Sequence, residues 1–165
     1  MTLDRIWAGW RSAYVRSVGA APAEDEGCIL CRLADVEDPE GLVLDRDALT
    51  FAVMNAYPYT SGHAMVAPIR HEADLEGLTE DEAAAVMAMV RRAAVAMKAA
   101  FRPDGLNVGI NLGRGAGAGV PGHLHVHVLP RWAADTNFMT SVAEARVLPE
   151  DLATSWERLR AAWPR

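Results

Sequence analysis

Two periodicities divide the chain. Val86, Val90, Ala94, Met97 and Phe101 recur every three or four residues, the spacing that gathers apolar side chains on one face of a helix. Just ahead of them, Thr79-Glu80-Asp81-Glu82 reads as a capping box, in which the Thr79 hydroxyl accepts from the Glu82 amide while the Glu82 carboxylate reaches back. Acids in that first turn also suit the positive end of the helix dipole. Pro103 and Gly105 mark the stop. The pattern therefore predicts one long helix, with Met87, Met89 and Met97 as core or interface filling. A second helix is expected from about Pro149 to Trp163.

Elsewhere the period is two. Leu42 to Leu44 and Leu49 to Met54 flank Asp45-Arg46-Asp47 and read as a hairpin. Asn55 to His63 is a turn rich in proline, glycine and polar groups, and Gly62 to Pro68 is strand-like. Leu106 to Leu112 alternates and is expected to lie beside His123 to Pro130, where histidine and aliphatic residues alternate. These five strands and the long helix predict an α+β fold. No internal repeat, linker or second domain is visible, so the expectation is one domain over 1–165: an arm to residue 26, a core over 27–132, and an extension with a helix over 133–165.

Composition narrows the classes. A chain of 165 residues that is 51% apolar can bury a real core. No run of 18 or more apolar residues occurs, so no transmembrane helix is expected. The start, Met1-Thr2-Leu3-Asp4-Arg5, lacks a basic segment followed by a long apolar one, which argues against a secretory signal and for a cytoplasmic protein. A net charge of -6 without a basic cluster argues against nucleic acid polymers as partners. A small phosphorylated ligand is compatible, because backbone amides and a few cations suffice to hold it. The aromatic load of Ile6, Trp7, Trp10, Tyr14 and Val15 in the arm calls for burial on the domain or on a second subunit.

The chemistry concentrates in His123, His125 and His127. On an extended strand their side chains share one face, Leu124, Val126 and Val128 point to the core, and Pro130 is expected to end the strand. His123 and His127 would stand roughly 13 Å apart, so one metal ion cannot easily take all three. A metal cage and three ordinary surface histidines are the rival readings. Strict alternation beside a glycine-rich loop favours a reactive face. That loop, Gly113 to Gly122, has five glycines in ten residues, which lets backbone amides converge on an anion. The two cysteines, Cys28 and Cys31, form a CxxC that reads as metal ligands, as a redox pair, or as two buried reduced thiols. Neither the βαβ context nor the cis-proline usual for thiol oxidoreductases is visible.

His123 to Pro130 resembles the signature of the histidine triad (HIT) family of nucleotide-binding hydrolases and transferases, and family-like positions extend from Cys28 to Arg131. The run PRWAADTNFMT and the aromatic arm resemble most the bacterial branch that includes diadenosine tetraphosphate phosphorylases. The resemblance implies a HIT-like fold: a five-stranded antiparallel sheet with the long helix packed on it, N- and C-terminal extensions, and a two-fold homodimer. It implies that His125 attacks the α-phosphate of a nucleotide and that His127 assists. Asn55 would contact the ribose and His63 would lie near the phosphates, with Asn111, Gly113, Gly117 and Gly119 as further substrate contacts. By the same resemblance, His71 and His123 would complete a structural zinc site with Cys28 and Cys31.

One departure stands out. HIT loops usually carry a glutamine or serine shortly before the triad, where this chain has Gly119, Val120 and Pro121, so contacts to phosphate would fall to backbone amides or to Arg114. The expected activity is cleavage of a dinucleoside polyphosphate, by phosphorolysis or hydrolysis, through a nucleotidyl-histidine. A nucleoside phosphoramidase and a zinc-stabilised nucleotide-binding module with little turnover are the alternatives.

Overall fold

A computed structural model describes residues 27–36, 42–133, 135, 148 and 150–164; the aromatic arm and most of the stretch between Ala133 and Glu150 lie outside them. In chain order the elements are α1 (Ile29–Asp35), β1 (Val43–Arg46), β2 (Thr50–Met54), β3 (Ala64–Pro68), α2 (Glu80–Phe101), β4 (Gly105–Ile110), β5 (Val126–Arg131) and α3 (Leu152–Ala162). The strands form one antiparallel sheet in the order β1-β2-β3-β5-β4. Among the described residues no helix is long and apolar enough to cross a membrane.

Alternation along the strands gives the sheet two apolar faces. Leu44, Ala52, Met54, Ala64, Val66, Val126 and Val128 meet Val86, Met89, Val90, Ala93, Ala96 and Met97 of α2, with Leu159 of α3 beside them. Small alanines on that stripe let the helix approach closely, and the stripe is centred on Ala93 and Ala96 rather than on Ala94. Met87 points to solvent at 57% exposure, so it fills no core here. On the opposite face Val43, Phe51, Val53 and Ala67 pack against Leu30 and Ala34 of α1.

The long helix starts where its capping box places it. Thr79 accepts from the Glu82 amide at 3.2 Å, and Glu82 accepts from the Thr79 amide at 2.8 Å. Arg70 adds a fork to the Glu82 carboxylate at 2.7 and 2.8 Å and reaches Glu72 and the Gly77 carbonyl. These donors hold the Glu82 carboxyl at about 2, Arg70 first and the Thr79 amide next. The chain after β3 is thereby clamped against the start of α2. At the far end Arg102 takes a left-handed conformation (φ 48°) before Pro103, which turns the chain into β4.

The sheet edges are treated differently. α3 covers β1: Trp156 donates to the Val43 carbonyl at 3.0 Å, Trp163 to Asp45 at 2.6 Å, and Arg160 to the Leu44 carbonyl. This helix begins at Leu152, later than the expected Pro149, because Asp151 is its cap and accepts from the Thr154 amide at 2.7 Å. On the other side Val108 and Ile110 of β4, and Leu112 just after it, face solvent.

β5 starts at Val126, so His123 and His125 precede the ladder. Leu124 donates instead to the Glu72 carbonyl, which diverts the chain from β3. Pro130 does not end the strand. It sits inside β5 opposite Leu106, beyond Val128 where β3 stops pairing, so a missing donor is tolerated on that side.

Thr79→Ala removes the N-cap acceptor and is expected to lower unfolding free energy by about 1 kcal/mol, read as a shift in urea midpoint at unchanged slope.

Candidate active site and metal centre

The histidines are best understood one ring nitrogen at a time, since a neutral imidazole carries one proton and a partner at one nitrogen fixes the other. His125 Nδ1 lies 2.9 Å from the His123 carbonyl. A carbonyl only accepts, so the proton is on Nδ1 and the lone pair is on Nε2. His63 has the opposite arrangement. Its Nδ1 accepts from the Tyr59 amide at 3.1 Å and stands 3.3 Å from Asn55 Nδ2, which leaves the proton on Nε2. That nitrogen is 2.9 Å from His127 Nδ1, which must accept. His127 therefore carries its proton on Nε2, a buried donor without a partner among the described residues.

Two adjacent imidazoles thus present opposite chemistry through the same ring position. Their centroids are 4.9 Å apart; His125 is 3% exposed and His127 8%. Burial, with the neighbouring His125 second, pushes His127 down to about 4, so it is a neutral donor at pH 7.

Both rings line a cavity of about 460 Å³, within the range that holds a small ligand. One wall is α1, through Ile29, Leu30 and Leu33. Met54 and Met65 come from the sheet, and Gly119 and Val120 from the glycine-rich loop. Asn55 is at the margin, and its Oδ1 accepts from the Tyr57 amide at 2.9 Å. Among the described residues the lining contains no lysine or arginine. An apolar slot ending at one lone pair and one unpaired N–H suits a molecule with a flat apolar part and an anionic part.

Behind this cavity Cys28, Cys31, His71 and His123 bring one ligand atom each to within 4.8 Å of one another. Sγ of Cys28 is 3.3 Å from His123 Nδ1, and Sγ of Cys31 is 3.2 Å from His71 Nδ1 and 3.5 Å from His123 Nδ1. A tetrahedral zinc with bonds of roughly 2.0–2.3 Å spaces its ligand atoms roughly 3.3–3.8 Å apart. His123 Nε2 donates to the Pro68 carbonyl at 2.9 Å, leaving Nδ1 as a ligand, the backing that metal-bound histidines usually have. Burial and then Cys28 push the Cys31 thiol up, as expected for donors crowded round one point. These four residues can hold a metal ion.

The HIT domain family model matches residues 37–134. The chain belongs to the histidine triad family. It is 39% identical to "AP-4-A phosphorylase" of Mycobacterium tuberculosis (strain ATCC 25618 / H37Rv), covering 99% of this chain and 86% of that protein. Among solved structures, a zinc-bound histidine triad protein from Mycobacterium smegmatis is similar with TM-score 0.67 and 30% identity, covering 82% of this chain and 92% of that one. A HIT-like protein from Bartonella henselae has TM-score 0.68 and 27% identity, covering 86% and 99%.

In this HIT chain the triad divides its labour: His123 faces the cysteines, and His125 and His127 face the cavity. Asn55 and Gly119 line the cavity with them, whereas Asn111, Gly113 and Gly117 do not. Gly113 and Gly117 shape the loop instead, with φ of 73° and 89° on either side of a short turn at Arg114–Ala116. His63 is wholly buried one layer back, behind the lining residues Asn55, Tyr59 and His127 that it contacts. Sequence reasoning missed the Tyr59 amide and the α1 wall. The wall had a signal, since Ile29, Leu30 and Leu33 are an apolar helical face threaded through the CxxC; the amide had none, because a backbone donor leaves no mark in side-chain code.

For His127, NMR is expected to show no titration between pH 5 and 8. The unfolded chain takes up this proton near 6.5 and the folded one only near 4, so stability falls as the pH drops through that window. The loss is on the order of 3 kcal/mol from this group and levels off below it.

Proposed function

We propose that this HIT protein is a nucleotide-processing enzyme that cleaves a dinucleoside polyphosphate, with diadenosine tetraphosphate as the favoured substrate. The observation that carries the reading is the opposed pair of Nε2 atoms on His125 and His127. The likeness to a protein named AP-4-A phosphorylase supports the substrate class.

His125 Nε2 attacks the α-phosphorus, forming a P–N bond as the bond to the bridging oxygen breaks, and ATP leaves from diadenosine tetraphosphate. The His123 carbonyl steadies the imidazole as it becomes charged, by accepting from Nδ1. His127 Nε2–H donates to the α-phosphate or the bridging oxygen, and loop amides near Gly119 add fixed donors where charge develops. Inorganic phosphate or water then attacks the nucleotidyl-histidine and returns the electron pair to His125. Phosphate yields ADP and water yields AMP.

The four-residue centre behind the cavity is read as a structural zinc site, closed by two sulfurs and two imidazoles. The protein is read as a homodimer, for which the exposed apolar residues Val108, Ile110 and Leu112 on and after β4 offer surface.

With diadenosine tetraphosphate and inorganic phosphate, ADP plus ATP are the expected products; without phosphate, AMP plus ATP mark hydrolysis, and no product with or without phosphate defeats dinucleotide cleavage and favours the phosphoramidase or the low-turnover binding module. His125→Ala is expected to cut turnover roughly 10³-fold or more while AMP still binds. Elemental analysis should find one zinc per chain, lost in Cys28→Ser; a metal-free protein with full activity would refute the site without touching His125.

A further inference from the structure

The metal centre and the cavity share parts. Cys28 and Cys31 lie at the start of α1, and the two residues between them, Ile29 and Leu30, line the cavity together with Leu33 one turn on. α1 has only seven residues and no side-chain N-cap bond, and a helix of that length does not persist unsupported. Its C-terminal end is tied by Arg46, which donates to the Leu33 and Val36 carbonyls at 3.2 and 2.8 Å. Among the described residues, its other end is held by the burial of Leu30 and by the contacts of the two cysteines with His71 and His123.

A second connection runs through His123. One of its ring nitrogens faces both sulfurs, the other donates to Pro68, and its carbonyl accepts the His125 proton. A displacement of His123 therefore moves the acceptor that fixes the His125 tautomer. Gly122, just before it, sits against His71, with a Cβ there coming 3.8 Å from Nε2. The centre thus gathers α1, the segment after β3 and the entry to the triad at one point, and α1 and the triad stretch both contribute lining to the cavity.

We propose that Cys28, Cys31, His71 and His123 are positioning residues for the nucleotide, so that occupancy of the metal centre and of the cavity are coupled, each tightening the other. This rests on reading the cavity as a nucleotide site and the four residues as a metal site. It goes beyond a structural role, because a centre that merely stabilises the fold would not sense what lies in the cavity. The coupling is reciprocal, since a metal that holds α1 in the position lining the cavity must be favoured by a ligand that packs against α1 there.

Cobalt-substituted protein gives a direct readout, because Co(II), unlike closed-shell zinc, absorbs visible light according to its ligand geometry. AMP is expected to shift that spectrum with the same half-saturation that calorimetry gives for AMP binding. Cys31→His keeps a ligand while displacing the helix; it is expected to retain metal and to bind AMP at least about fivefold more weakly. A cobalt spectrum indifferent to AMP that calorimetry shows to be bound overturns the coupling and leaves the enzymatic reading intact. AMP that fails to bind the metal-loaded protein overturns the nucleotide reading, and failure to bind cobalt or zinc overturns the metal reading, each taking the coupling with it.

Discussion

A neutral imidazole has one proton for two nitrogens, and this chain settles where that proton lies at four of its five histidines. His123 gives it to Pro68 and His125 to the His123 carbonyl; His63 is denied it at Nδ1 by the Tyr59 amide, and His127 is denied it at Nδ1 by His63. Each assignment leaves one kind of contact to the remaining nitrogen: a lone pair at His123 Nδ1 and His125 Nε2, an N–H at His63 Nε2 and His127 Nε2. Exchange of one tautomer would put two lone pairs or two protons face to face between His63 and His127, an arrangement whose lost hydrogen bond and buried polar atoms cost a few kcal/mol.

The fold's task is to keep those rings dry enough for the assignments to hold. Burial pushes both His123 and His127 below their ordinary value, so neither takes a second proton that would erase the distinction between its nitrogens. The sheet supplies the burial on one side, with Met65 opposite His127 in the β3–β5 ladder. α1 supplies it on the other. The clamp of Arg70 on Glu82 and Glu72 matters for the same reason, because it fixes the segment that carries His71 and whose Glu72 carbonyl accepts from Leu124.

Much of this was readable in the residue order wherever the controlling interaction is local. The capping box at Thr79 and Glu82 spans four residues and forms as its spacing requires. The hairpin around Asp45-Arg46-Asp47 forms too, with Asp47 accepting from the Leu49 and Thr50 amides. The triad's alternation put His125 and His127 in contact with the same cavity. Interactions between distant segments were not readable: Trp156, Arg160 and Trp163 cover the edge of β1 from more than a hundred residues away. The early departure of His123 and His125 from the ladder is of this kind, since it depends on where Pro68 and Glu72 place their carbonyls. The resemblance to the HIT family joined the CxxC to His71 and His123, a grouping that spacing alone left open.

The composition of the cavity then limits what can occupy it. A phosphate held by neutral N–H groups exchanges bonds to water for bonds to protein, and each such exchange yields only about 1 kcal/mol. Among the described residues no cationic side chain lines the cavity to add more. On the proposed nucleotide reading, a nucleobase burying on the order of 100 Å² against Ile29, Leu30 and Leu33 would contribute roughly 2.5 kcal/mol, as much as two or three such exchanges. A bare phosphate lacks that wall contact, and a free nucleoside leaves the His127 N–H buried without an acceptor. On the proposed nucleotide reading, only a ligand with both parts satisfies the site, and a wall that holds the base would also set how far the first phosphorus stands from His125.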